Sequence, residues 1–197
     1  RRITAVDFRS ALVAAGEPDL LAGQLLGRYV VCLRRIGKFL VFDLDLGFLA
    51  AHLRMTGKLL WNASPGQHTR TVLSLDGVPL LFDDIRQFGR LTWSEQLPTN
   101  IAKLGPDPLN LSAHQFVLLL QGRRGSLKPL LLKQEFLSGL GNIYVDECLF
   151  RAQLHPLAQA ARLSPMRAAR LHTAIVDVLT EAIAAGGSSV SDYVDAD

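Results

Sequence analysis

"GLGNIYVDECLFRAQLHP", residues 139–156, is the stretch from which the rest of the chain can be read. It opens with Gly139 and Gly141, and an amphipathic run follows at once, with Val145, Cys148, Leu149 and Ala152 on one face at helical spacing. Asn142 stands where a helix cap belongs. The first N–H groups of a helix lack partners within it and carry the positive end of its dipole. Gly139 and Gly141 can take φ > 0 and leave no Cβ in the way of a ligand. The stretch predicts a helix end bared towards an anion, most naturally phosphate. A plain tight turn is the alternative, and Asp146 and Glu147 compete for the same dipole. Just upstream, "QGRRGSLK" (121–128) adds Arg123, Arg124 and Lys128 with no acidic residue among them. A helix, a glycine hairpin and a second helix beside cations make a grip for a DNA backbone.

Outward from this hairpin the period is helical. "SAHQFVLLLQ" begins with a capping box, Ser112 and Gln115. In "SPMRAARLHTAIVDVLTEAIAAGG", Ser164 is the cap, Pro165 takes the first helical position and Gly186-Gly187 is the stop. Its apolar face runs Leu171, Ile175, Val178, Leu179 and Ala182. Before residue 98 the pattern is different. "ITAVDF", "YVVCLRRIG", "KFLVFDLD", "FLAAHLRM", "RTVLSL" and "VPLLFDD" are short, rich in β-branched and aromatic residues, and often alternate. Glycine turns in "LDLGF" and "LDGVP" separate them, and residues 11–26 read as helix or loop. The expected architecture is multidomain: an antiparallel β-sandwich-like domain over 1–97, a proline-rich linker over 98–111 and a helical domain over 112–197.

Composition narrows the class. The 197 residues suffice for one large or two small cores, and 49% hydrophobic with 20% charged residues is ordinary globular usage. No unbroken apolar run of about 18 residues occurs, which argues against a membrane span. Cys32 and Cys148 are the only cysteines, too few for a disulfide framework or a self-contained cysteine zinc site. The expected setting is therefore the reducing cytoplasm. A net charge of +3 permits a polyanionic partner without demanding one.

With its glycine hairpin the chain resembles the formamidopyrimidine-DNA glycosylase and endonuclease VIII family, whose helix-two-turns-helix signature "GLGNIYVDECLFRAQLHP" matches. Four further stretches match in order: "RRIGKFLVFDLD" its basic strand pair, "HLRMTGKL" its next strand and turn, "DDIRQFGRL" its Asp-Pro-Arg-Arg-Phe-Gly loop and "LGPDPLN" its linker. The resemblance spans essentially the whole chain. It implies base-excision repair by a bifunctional DNA glycosylase and AP lyase that flips a damaged nucleotide out of the duplex. Side chains suited to the tasks can be named. Met55 is flexible and apolar enough to fill the vacated space. Arg86 carries a donor fork for the widowed cytosine. Phe88 is a flat wedge. A Met, an Arg and a Phe at these positions resemble the formamidopyrimidine branch, which implies oxidised purines such as 8-oxoguanine as substrates. Without the resemblance, Met55 and Phe88 read equally as core and Arg86 as an ion-paired loop residue. The resemblance also implies phosphate contacts from Asn142 and the N–H of Tyr144 at the helix end, from His52 on a strand, and from His68 and Arg124 on loops. It makes Lys38, also read as a strand residue, the catalytic lysine beside the reacting sugar. The implied partner is double-stranded DNA with oxidised bases or abasic sites, bound by a monomer associated with the nucleoid.

The sequence departs from the family's pattern in places. The N-terminal Pro-Glu-Leu-Pro-Glu stretch, whose proline amine forms a Schiff base with the sugar, does not occur. "GGSSVSDYVDAD" (186–197) resembles the segment before the family's four-cysteine zinc finger, and no finger follows. Zinc is thus expected in full-length family members and no metal site in this chain. Ile85 replaces the family's proline and Gln87 its second arginine. Two readings stand: a repair enzyme whose sequence is cut short at both ends, this piece being inactive, or a module that binds damaged DNA without chemistry.

Overall fold

In a computed structural model that describes residues 1–187, the chain divides into two compact units, Arg1–Lys103 and a second starting at Leu104. The segment 186–197, read above as the approach to a zinc finger, lies outside the described residues from position 188 onward.

The first unit is two four-stranded antiparallel sheets. One contains β1 (Ile3–Phe8), β6 (Thr69–Leu75), β7 (Val78–Asp84) and β5 (Gly57–Trp61), in that spatial order. The other contains β2 (Val30–Ile36), β3 (Phe39–Leu44), β4 (Phe48–His52) and β8 (Arg90–Ser94). Alternation drives this: along β6, Thr69, Thr71, Leu73 and Leu75 are buried and the residues between them are not. Ile3, Leu73, Leu75, Leu80 and Phe82 of the first sheet join Phe42, Leu44, Leu49, Ala51 and Leu91 of the second in one core. Residues 11–26 resolve into a single 3-10 turn at Ala11–Val13 and α1 (Pro18–Leu25), which closes the core with Leu21 and Leu25. Strands β5 and β8 do not stand out in the sequence. Each is five residues long and starts on a glycine or an arginine, and only pairing to β7 and β4 makes them strands.

Between the strands and the main helices, residues 98–111 hold α2 (Thr99–Ala102) and a 3-10 turn at Pro108–Asn110. The helical unit then contains α3 (Ala113–Leu120), α4 (Leu127–Leu132), α5 (Asn142–Arg151) and α6 (Pro165–Ala184). The capping box forms as read: Ser112 Oγ accepts from Gln115 N–H, and Gln115 Oε1 accepts from Ser112 N–H. Helix α6 starts on Ser164 and Pro165, and Gly186 and Gly187 follow it with φ of +78° and +104°. Helix α4 goes unread in the sequence because Pro129 looks like a breaker; in the first turn a proline removes no helical bond. Its Leu127, Leu130 and Leu131 are buried with Phe116, Leu137, Leu140, Val145, Cys148, Leu149, Leu171 and Ile175 in a core separate from that of the β unit.

Candidate nucleic-acid interface

The antiparallel registers gather the candidate residues of the β unit at one end of the sandwich. Phe39 pairs with His52 and His52 with Arg90, so the β2–β3 turn, the end of β4 and the start of β8 lie together. In the other sheet Asp84 pairs with Gly57 and Asp83 with Thr69, so the end of β7 meets the starts of β5 and β6. The chain crosses from one sheet to the other twice at this end, through residues 53–56 and 85–89. Met55 sits in the first crossing and Arg86 and Phe88 in the second. Met55 belongs to this turn rather than to the strand read from "FLAAHLRM", because β4 stops at His52.

The two crossings touch through these three side chains. Arg86 Nη1 is 3.3 Å from Met55 Sδ, and the Arg86 guanidinium lies 4.7 Å from the centre of the Phe88 ring. Met55 is 70% exposed and Phe88 48%, so neither is a core residue. Arg54, Met55, Phe88 and Arg90 line an open depression of about 350 Å³. Arg86 makes no carboxylate ion pair among the described residues, although Asp83 and Asp84 precede it.

What holds both crossings in place is Asp84, 1% exposed. Its Oδ1 accepts from the Thr56 hydroxyl of the first crossing and, at 3.2 Å, from Arg86 N–H of the second. Its Oδ2 accepts from Gly89 N–H at 2.8 Å. Burial pushes the Asp84 carboxyl up; the hydrogen bonds from Thr56, Gly89, Arg86 and Gln87 outweigh it and hold the group below the usual carboxylate range. Gly89 is required for contact: a Cβ there would come 2.4 Å from the ring of buried Phe82. Gln87, in place of the family's second arginine, has φ +54° and accepts from Ser10 Oγ at 2.6 Å, which ties the loop to the start of the 3-10 turn. Asp84 is visible in the sequence only as the first residue of the loop motif and Ser10 not at all; neither pattern shows that the residue anchors the two crossings.

His52 and Lys38 flank this region. Lys38 lies in the turn between β2 and β3, not on a strand. Desolvation lowers the pKa of its ammonium group. The His52 ring stands edge-on to Phe39 at 4.7 Å, and its Nδ1 accepts from Arg54 N–H at 3.0 Å. Desolvation first, then the charges of Arg54 and Lys38, hold His52 below its ordinary value. A neutral ring with Nδ1 accepting carries its proton on Nε2. His68 precedes β6; its carbonyl accepts from Asp84 N–H at 3.0 Å, and its Nε2 lies 3.1 Å from Gln67 Nε2.

In the helical unit the glycine hairpin differs from the reading in two respects. Gly139 does take φ +96°, but Gly141 is extended at φ −121°. The helix cap is Gly141, and Asn142 is the first helical residue, exposed and without a capping bond. The bared end survives this shift: Val145 N–H makes the first intrahelical bond, to Gly141 O, so the N–H groups of Asn142 and Ile143 point beyond the helix. Tyr144 is the third helical residue and packs against the core. Gln134, not noticed in the sequence, shapes the hairpin. Its Oε1 accepts from Gly139 N–H at 3.0 Å, and its Nε2 donates to Leu140 O and Leu132 O at 2.9 and 3.1 Å. Of the upstream cations, Lys128 pairs with Asp146 at 2.7 Å, which takes that carboxylate out of competition for the helix end. Arg123 stacks over Phe136 at 5.5 Å. Arg124, exposed in the loop before α4, pairs with no carboxylate among the described residues. Cys148 is buried, its thiol pushed up to about 12 first by desolvation and then by Glu147, so it is inert; Cys32 is free and exposed.

A β-sandwich with a stacked Met–Arg–Phe cluster at one end, together with a helical unit that bares a helix N-terminus behind a glycine hairpin, is the outfit of a DNA-binding repair protein. The family model for the formamidopyrimidine-DNA glycosylase N-terminal domain matches residues 1–91, and that for the formamidopyrimidine-DNA glycosylase H2TH domain matches residues 104–194. The formamidopyrimidine-DNA glycosylase of Solibacter usitatus is 49% identical over 199 residues, which cover 100% of this chain and 75% of that protein. Among solved structures, MutM in complex with DNA containing carbocyclic 8-oxo-G superposes with a TM-score of 0.83 at 30% identity, covering 96% of this chain and 75% of that one. The Lactococcus lactis glycosylase bound to DNA with an AP site gives 0.81 at 30% identity, covering 95% and 76%. The chain belongs to the formamidopyrimidine-DNA glycosylase family.

Proposed function

We propose that this chain is the part of a base-excision-repair DNA glycosylase and AP lyase for oxidised purines that grips the duplex and holds its damaged nucleotide extruded. The observation that carries this is the contact of Arg86 with both Met55 and Phe88 at one end of the sandwich. Two crossings between sheets, fastened to one buried carboxylate, present an apolar filler, a planar donor fork and a flat ring side by side. Met55 occupies the space an extruded nucleotide leaves, Arg86 donates to the edge of the orphaned cytosine, and Phe88 wedges the adjoining step. His52, neutral with its proton on Nε2, donates to a phosphate without adding charge. Lys38 gives up its proton more readily than an exposed lysine, which suits proton transfer at the sugar. His68, Arg124, Asn142 and the N–H of Tyr144 hold further phosphates, as a helix N-terminus does for anions.

Schiff-base formation and the strand nick belong in this reading to the full-length enzyme. Zinc belongs to full-length relatives in the same way. The described residues contain no group of three or more His, Cys, Asp or Glu side chains able to hold a metal ion. No helix among them is long and apolar enough to cross a membrane, and a place with the nucleoid in the cytoplasm follows from the DNA partner.

Fluorescence anisotropy of the 197-residue chain on three duplexes tests the reading: 8-oxoguanine opposite cytosine, an abasic-site analogue, and intact DNA. Both damaged duplexes should bind more tightly than intact DNA. Arg86→Ala should weaken the damaged complexes by about ten-fold, one good bidentate base contact, and leave the intact one nearly unchanged. Equal affinity for all three duplexes, or an equal loss on all three in the variant, would overturn it.

A further inference from the structure

We infer that Met55 is an oxidation site, and that its conversion to the sulfoxide by a peroxide switches off recognition of damaged DNA. The inference rests on the reading that Met55 enters the duplex. Three features of the residue set it apart. It is 70% exposed at the rim of the depression it shares with Arg54, Phe88 and Arg90, so an oxidant in solution reaches its sulfur. That sulfur already stands 3.3 Å from Arg86 Nη1. And the side chain is useful only while it is apolar and flexible.

The step balances with hydrogen peroxide as the oxidant. A sulfur lone pair attacks one peroxide oxygen, an S–O bond forms and the O–O bond breaks. The second oxygen leaves as hydroxide and takes the proton of the sulfur-bound oxygen to become water, so sulfur loses two electrons and peroxide gains them. The product is a polar, chiral sulfoxide that reductases return to the thioether. Two consequences act in the same direction. A thioether is a weak acceptor, whereas a sulfoxide oxygen is a strong one, so Arg86 is held on Met55 instead of reaching a base. A sulfoxide placed between bases would also lose its water without a partner for its oxygen. The oxidants that create this chain's proposed substrates belong to the same chemical class as the one that modifies Met55, so the two would meet in the cell.

The chain's methionine count makes the experiment clean: the only other one, Met166, is 80% exposed on α6 in the helical unit and serves as an internal reference. The wild type, Met55→Leu and Met166→Leu are treated with hydrogen peroxide and then with dithiothreitol, which restores Cys32 from reversible oxidation but leaves sulfoxides. Peptide masses report oxidation at each site, and anisotropy reports binding to the 8-oxoguanine duplex. The expected result is oxidation at every methionine each protein carries and about a ten-fold loss of binding in the wild type and in Met166→Leu, reversed by methionine sulfoxide reductase. Met55→Leu should bind after treatment as it did before, whatever its starting affinity. A second readout needs no DNA: on oxidation, the Arg86 Nη resonances should separate by NMR as guanidinium rotation slows. Met55 left unoxidised while Met166 reacts, binding unchanged with Met55 oxidised, or Arg86 resonances unmoved by oxidation would each overturn the inference. Failure of the untreated wild type to prefer the lesion would instead overturn the proposed function, while the peptide masses and the Arg86 resonances would still test whether Met55 is oxidised and draws Arg86 onto itself.

Discussion

Asp84 keeps a charge inside the sandwich because donors converge on it from two loops. The Thr56 hydroxyl and the Arg86 and Gly89 N–H groups all donate to its carboxylate, and Arg70 Nε fixes its carbonyl at 2.8 Å. Asp84→Asn is nearly isosteric but presents an NH2 where the site supplies only donors. It should cost about 1–3 kcal/mol, the range for losing a charge-assisted bond and leaving a buried donor unpaired. The sign of the pH dependence follows from the lowered value. A carboxyl whose pKa falls on folding gives its full stabilisation above the ordinary value of 3.8, and loses it as pH drops through the lower folded value. Thermal melts from neutral pH downward should show the wild type above Asp84→Asn at neutral pH, with the gap closing only in strong acid. A gap that stays constant to the lowest pH would show that the charge is not what counts. Three candidate side chains can be picked out in the sequence, Met55 in one motif and Arg86 and Phe88 in another, and the structure puts them in contact. The role of Asp84 cannot be read there. A carboxylate at a strand end looks like any other, and its role exists only once two sheets bring Thr56 and Gly89 to it.

The glycine hairpin before α5 shows how far local pattern goes at the scale of an element. The buried face of Val145, Cys148, Leu149 and Ala152 is as the spacing predicts. The cap is displaced by one residue, because Gly141 takes the extended conformation of an N-cap and Asn142 enters the helix. Spacing fixes which residues face inward; it does not fix which backbone turns first. The two glycines therefore differ in kind. At φ +96° an alanine replacing Gly139 meets the steric penalty of the left-handed region, about 1–2 kcal/mol, whereas at φ −121° the backbone of Gly141 is open to any residue. Gly139→Ala should lower the unfolding free energy of the chain by about that amount, and its denaturant midpoint with it, and weaken DNA binding as the hairpin moves off Gln134. Gly141→Ala should show no backbone penalty of this size. Urea titrations of the two variants side by side are the check, and equal losses would mean that a different contact, not backbone conformation, sets the requirement.

For the molecule as a whole, the change from a period of two to a helical one separates strands from helices in the sequence, and two cores with no residue in common correspond to it. How charge is deployed was less legible. Twenty-one basic against eighteen acidic residues leave a net charge of +3, too small to name a polyanion as partner. The structure shows which cations already have occupations: Lys128 holds Asp146, Arg34 holds Asp43, and Arg151 bridges Glu147 and Glu181. Of the three cations in the stretch upstream of the hairpin, that leaves Arg124, since Arg123 lies over Phe136, and its contribution differs from that of Arg86. A cation on a phosphate releases counterions and carries no sequence information, whereas a fork on a base edge discriminates without adding to the salt slope. Arg124→Gln should therefore weaken damaged and intact duplexes alike, and reduce the slope of log K against log salt by about one unit, the signature of one lost phosphate contact. The preference for damage should survive. Anisotropy titrations on both duplexes over a range of potassium chloride concentrations measure slope and preference together. An unchanged slope would remove Arg124 from the phosphate contacts, and a lost preference with an intact slope would mean that it reads the lesion instead.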